Sequence, residues 1–177
     1  MRVVAGIYGG RRLRAPNGLA TRPTADRVRE ALFSMLGSVE GMRVLDLFAG
    51  SGALAIEALS RGAREAVFVD SARRAVEAVE SNLAGLGIKA AVHRRDALAY
   101  IGGVGEELRF DLVFVDPPYD AAVRLAPELS QGLPPILSAD ALIVSESDKR
   151  QPLTLDLPLD DERTYGHTRI AIHRAAD

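Results

Sequence analysis

The chain has 177 residues, 47% of them hydrophobic, a size that suits one globular domain around a single core. No run approaches the ~18 apolar residues of a membrane span, and Met1-Arg2-Val3-Val4-Ala5 lacks the apolar block of a signal peptide. Cysteine is absent, which excludes disulfides and thiolate metal sites and fits a cytoplasmic protein.

The net charge of -2 hides an asymmetry. Residues 1–30 hold Arg2, Arg11, Arg12, Arg14, Arg22, Arg27 and Arg29 against Asp26 and Glu30, a local charge of +5, so the other 147 residues carry -7. An acidic body with a basic arm points to a polyanion engaged from one end. Arginine suits bidentate phosphate contacts, although 20 of the 22 cations here are arginine. His93, His167 and His173 are scattered without an i, i+4 pair, so no metal is expected.

In chain order, Val3–Ile7, Gly9-Gly10 and Arg11–Ala15 suggest a short hairpin. A helix is expected from an N-cap at Thr24 to Gly37, packing through Val28, Leu32, Met35 and Leu36. From Met42 strands and helices alternate. The expected strands are 43–48, 66–69, 90–93, 110–115 and 142–145, and the expected helices are 52–61, 72–86, 97–101 and 121–131. This alternation implies a parallel sheet covered on both faces. Beyond Pro152, segments 153–157 and 168–173 look like an antiparallel pair that completes seven strands. Ligands of such sheets bind beyond the carboxyl ends of the strands, here at residues 46–52, 70, 96 and 116–119.

Asp46-Leu47-Phe48-Ala49-Gly50-Ser51-Gly52 runs from strand into helix. Its glycines allow backbone to approach a ligand, and the helix N-terminus faces it. Asp70, at the end of the next strand, can accept both ribose hydroxyls of an adenosine. A dinucleotide loop is the rival reading. Asp46, however, lies where a pyrophosphate would be repelled and where a sulfonium and an ammonium would be attracted. S-Adenosylmethionine is therefore the favoured cofactor, held by Asp46, Ala49, Gly50, Ser51, Gly52 and Asp70. Asp96 and the Ala97 N–H would meet its adenine. Asp96 is also a natural N-cap for the next helix.

Asp116-Pro117-Pro118-Tyr119 is the most specific signal. An exocyclic base amine is a weak nucleophile because its lone pair is delocalised into the ring. The Asp116 carboxylate and the Pro117 carbonyl can each accept one of its N–H groups and aim the nitrogen, Pro117 and Pro118 stiffen the turn, and Tyr119 can stack on the base. A rigid turn capped by Asp116 is the bland alternative.

With these motifs the chain resembles the RsmD family, which methylates guanine N2 in 16S ribosomal RNA. The arm Arg2-Val3-Val4-Ala5-Gly6 with Gly10-Arg11-Arg12-Leu13 carries the likeness, as do Arg22-Pro23-Thr24-Ala25-Asp26-Arg27-Val28-Arg29-Glu30 and Tyr165-Gly166-His167-Thr168-Arg169. The resemblance implies an α/β fold of the Rossmann-like class I methyltransferase type. It would have a mostly parallel seven-stranded sheet, a C-terminal antiparallel pair, and a small N-terminal hairpin and helix in front. It implies an RNA-binding extension at residues 1–40 and a methyltransferase domain at residues 41–177. Arg11, Arg12, Arg14, Arg22, Thr24, Arg27 and Arg29 would face 16S rRNA in the small ribosomal subunit or its assembly intermediate, with no membrane or metal involved. An adenine-N6 methyltransferase, a non-catalytic assembly factor and a nicotinamide-dependent oxidoreductase are the competing readings.

Overall fold

The computed structural model describes residues 1–16, 26–105 and 107–175. The expected cap at Thr24 lies outside them. Helix α1 (Asp26–Leu36) stops at Gly37, which turns left-handed at φ 72°. There follow β1 (Arg43–Leu47), α2 (Ala53–Ser60), β2 (Glu65–Asp70), α3 (Arg73–Leu86), β3 (Ala91–Arg94), α4 (Ala97–Ile101), β4 (Phe110–Val115) and α5 (Tyr119–Gly132). The chain closes with β5 (Leu137–Asp148), β6 (Leu159–Tyr165) and β7 (Thr168–Arg174). The sheet order is β3-β2-β1-β4-β5-β7-β6, parallel through β5 and antiparallel at β7 and β6. This is the doubly wound architecture that the alternation predicts. Among the described residues no helix is long and apolar enough to cross a membrane.

Successive strand residues point to opposite faces, so each central strand feeds two apolar layers. Val44, Phe68, Phe114 and Val144 pack with Val3, Leu13, Leu32, Phe33 and residues of α2 and α3. Leu45, Val69, Val113 and Ile143 pack with α4 and α5. The described residues ahead of β1 thus share a core with the sheet.

Three expectations are corrected. Residues 153–157 form no strand, although Leu153 and Leu155 are buried and alternate with exposed neighbours. Side chains supply part of the segment's hydrogen bonding: Ser130 Oγ accepts from the Asp156 N–H, Arg169 donates to the Leu153 carbonyl, and His173 Nδ1 bonds to the Leu157 carbonyl. The pairing strand is β6, Leu-Asp-Asp-Glu-Arg-Thr-Tyr. Its charges show no apolar period but suit an exposed sheet edge, where they discourage further pairing. Strand β5 is longer than expected at both ends: it begins at Leu137, its register shifting between Phe110↔Leu137 and Leu112↔Leu142, and pairing with β7 carries it on to Asp148. Asp140 takes φ 60° in the extra segment.

The N-terminal hairpin is shorter than its apolar pattern suggests. Arg2 and Arg12 form an isolated antiparallel bridge. Beyond it, α2 claims the backbone donors. The carboxylate of Glu57 accepts from the Val4 and Ala5 N–H groups at 2.7 and 3.0 Å, and the Ser60 carbonyl accepts from Ile7. Gly6 passes Ser60 so closely that a Cβ would stand 1.8 Å from its carbonyl oxygen, which leaves room only for glycine.

Candidate functional site

The order of strands reverses between β1 and β4, and a crevice for ligands opens at such a point beyond their carboxyl ends. Register and parity decide which side chains meet there. Asp46 lies opposite Phe68 of β2 and Phe114 of β4, so it points to the face covered by α2 and α3. Asp70 follows Phe68 by two residues, Asp116 follows Phe114 by two, and Glu146 follows Val144 by two. All four carboxylates therefore share one face and one rim.

The Asp70 carboxylate is engaged by backbone. Its Oδ2 accepts from the Gly50 N–H at 2.9 Å and its Oδ1 from the Ala72 N–H at 2.8 Å. Each carboxylate oxygen offers about two acceptor sites, so each keeps capacity for a ribose hydroxyl. Gly50 and Gly52 both have left-handed backbones, at φ 57° and 76°. They differ in what surrounds them. A Cβ on Gly52 would press on the Phe68 ring at 3.1 Å and on Val79 at 3.3 Å, whereas one on Gly50 would meet only the Phe48 carbonyl at 3.9 Å. Gly52 lets α2 settle on the sheet, and Gly50 leaves open space above the loop. Open backbone, the α2 N-terminus and a half-engaged carboxylate fit an adenosine-bearing cofactor. Phe48, at φ 63°, holds a conformation that side chains other than glycine rarely adopt. The Ala49 N–H donates to Val69, tying the loop to β2.

Asp96 caps α4 by accepting from the Ala99 N–H at 3.0 Å, which is the structural half of its expected role. Asp96 is exposed and Ala97 buried.

Asp46 and Asp116 sit differently. Asp46 is buried and accepts from the Ala55 N–H at 3.3 Å. Burial raises its pKa well above the ordinary carboxylate range, and the charge of Asp70 adds to the rise. Asp116 is also raised well above that range, first by desolvation, then by Glu146 and Asp46. Like charges in a desolvated crevice disfavour ionisation. A cation or a set of N–H donors entering the crevice reverses that. Among the described residues no three His, Cys, Asp or Glu side chains are grouped to hold a metal.

Pro117 is buried, while Pro118 is exposed and precedes the first turn of α5, where Tyr119 sits. The turn therefore delivers Asp116 and the backbone of residues 117–119 to the same crevice.

Of the predicted phosphate-binding residues, Arg11, Arg12, Arg14 and Arg27 are exposed. Arg22 and Thr24 lie outside the described residues. Arg29 departs from expectation: it is completely buried, and its guanidinium donates to the Asp26 carboxylate at 3.0 Å and to the Arg2 carbonyl. It clamps the arm to α1 and presents nothing to a phosphate. Arg61 has a related task, pairing with Glu57 at 2.8 Å and lying over the Phe33 ring.

Glu57, Asn82 and Glu146 escaped the sequence reading. The first two carried a signal. Glu57 is the one acid in the otherwise apolar helix Ala-Leu-Ala-Ile-Glu-Ala-Leu-Ser, and Asn82 falls on the buried stripe Ala75, Ala78, Val79 and Leu83. A polar residue on a packing face is held there by partners.

The chain matches, over residues 1–174, the family described as "Conserved hypothetical protein 95". It is 42% identical to YlbH of Bacillus subtilis, whose name assigns it provisionally to the rRNA methyltransferases, over 98% of both chains. Identity to ribosomal RNA small subunit methyltransferase D of Haemophilus influenzae is 34%, covering 86% of this chain and 81% of that one. A solved structure of a hypothetical protein from Thermus thermophilus superposes with a TM-score of 0.84 at 31% identity, covering 98% of each chain.

Proposed function

Because this chain belongs to the RsmD family, we propose that it uses S-adenosylmethionine to methylate the exocyclic N2 amine of a guanine in 16S rRNA of the small ribosomal subunit. The observation that carries this reading is the convergence of Asp46, Asp70 and Asp116 on one face at the point where strand order reverses. Loop 49–52 and Asp70 would hold the adenosine, Asp96 and Ala97 its base, and Asp46 the charged amino-acid end.

When bound, the cofactor supplies an electrophilic methyl group on a cationic sulfur. Asp116 and the Pro117 carbonyl would accept the two N–H bonds of the amine and point its lone pair across the crevice, and Tyr119 would stack on the base. Positioning dominates such a transfer. Asp116 must be ionised to accept, and a neighbouring positive charge favours that state despite burial. After transfer the product cation is acidic, so its proton leaves to Asp116 or to water without a histidine base.

Residues 1–40 would serve as the RNA-binding extension, with Arg11, Arg12, Arg14 and Arg27 on phosphates. Such contacts weaken steeply with salt. The deciding experiment incubates the protein with under-methylated small subunits and labelled cofactor, then identifies the modified nucleoside. N2-methylguanosine is expected. N6-methyladenosine would move the activity to adenine, and no incorporation would leave a binding or assembly role.

A further inference from the structure

Asn82 joins two regions that the proposed chemistry uses separately. It is buried on the inner face of α3. Its Oδ1 accepts from the Arg14 N–H at 2.8 Å, and its Nδ2 donates to the Arg14 carbonyl at 3.0 Å. The same Nδ2 donates to the Ser51 carbonyl at 2.9 Å. One carboxamide thus imitates a strand partner for the arginine-bearing arm and fixes the peptide between Gly50 and Gly52. Ser51 is tied to the arm a second time, because its hydroxyl donates to Met1 Sδ at 3.2 Å.

The task needs an acceptor and a two-handed donor on one side chain, which is what a carboxamide supplies. Aspartate could accept from Arg14 but has no N–H for either carbonyl, and leucine could do neither. The location matters for a second reason. A peptide flanked by two glycines has soft dihedrals, and the orientation of the Ser51 carbonyl sets which way the loop presents its backbone. Another anchor of the arm, Glu57 with Ser60, holds residues 4–8 and bypasses the loop.

We propose that Asn82 is a positioning residue that couples the cofactor loop to the arm. A nucleoside cofactor that orders residues 49–52 steadies Arg14 through this carboxamide and so favours nucleic acid on the arm. By linkage, nucleic acid on the arm favours the cofactor to the same degree. The inference rests on the reading of loop 49–52 as the cofactor site.

The test is amide-resolved hydrogen exchange by NMR on the full chain, with and without saturating S-adenosylhomocysteine, alongside calorimetric titration of the same ligand. In the wild type the ligand should slow exchange at the Arg14 amide by about fivefold, the lower end of usual couplings. The Val4 and Ala5 amides, held by Glu57, should change little. Asn82→Leu should bind the ligand several-fold more weakly and lose the response at Arg14. Asn82→Asp should keep partial protection of Arg14, through the acceptor it retains, yet show no response to ligand. Ligand binding by the wild type with unchanged Arg14 exchange would overturn the coupling and leave the cofactor site standing. No binding by the wild type would remove the site and the coupling together. The wild-type comparison can overturn the coupling even if neither variant folds.

Discussion

Two pairs of aspartates line one rim and live under opposite conditions. Asp70 and Asp96 accept backbone N–H groups at normal distances and belong to the scaffold as much as to any ligand. Asp46 and Asp116 are desolvated, crowded by other carboxylates, and pushed away from ionisation. The first pair shapes the loop and the helix start. The second resists ionisation, and an incoming cation or amine would favour the charged form. Sites that must recognise charge often keep such perturbed groups, and the difference predicts effects of opposite sign for substitutions of one residue type.

The largest effect should come from Asp116→Ala, because on the proposed mechanism it removes a preorganised acceptor at the reacting nitrogen. Turnover on under-methylated small subunits should fall by roughly 10²–10³-fold, the usual loss for one such group. S-Adenosylhomocysteine affinity should stay within about twofold, far inside the tenfold that 1.4 kcal/mol represents. Unchanged turnover would remove Asp116 from the chemistry.

Asp46→Asn and Asp70→Ala then break the comparison directly. Asp46 has a raised folded-state pKa. The folded protein therefore holds its proton more tightly than the unfolded chain, and stability is lost as pH rises from the ordinary carboxylate range through the raised value. Asp46→Asn should raise the melting temperature of the ligand-free protein at neutral pH, with the gain gone below about pH 4. Affinity for S-adenosylmethionine should drop by about tenfold, the equivalent of losing one charge-assisted hydrogen bond. Asp70→Ala should do the opposite to stability, costing about 1–2 kcal/mol for the abandoned Gly50 and Ala72 donors. Equal signs in thermal melts of the two variants would erase the distinction.

Glu146→Gln sharpens it further. Glu146 raises Asp116, so its neutral replacement should move the acidic limb of the pH–rate profile to lower pH, with maximal turnover little altered. A limb that stays in place would show that Glu146 does not set the ionisation, leaving desolvation and Asp46. The smallest effect belongs to Asp96→Ala, about 1 kcal/mol for a lost helix cap, read by chemical denaturation.

The amino-acid sequence by itself determined the alternating layers, because apolar periods of strand and helix are local and repeat within each element. It also marked both chemical turns, since glycine at 50 and 52 and proline at 117 and 118 restrict backbone independently of distant neighbours. What only the tertiary structure decided were quantities summed over remote segments. Arg29 looks like its exposed neighbours in the sequence, but Asp26 and the Arg2 carbonyl claim it inside the fold. Residues 153–157 have a strand's alternation, but side chains rather than a strand partner hold the Asp156 N–H and the Leu153 and Leu157 carbonyls, and the polar edge strand follows them. Asp46 and Asp70 are both aspartates at strand ends, and only the packing of α2 and the proximity of other carboxylates make one desolvated and the other bonded. Burial and electrostatic energy depend on which atoms surround a group, and those atoms come from strands and helices that are brought together only when the chain folds.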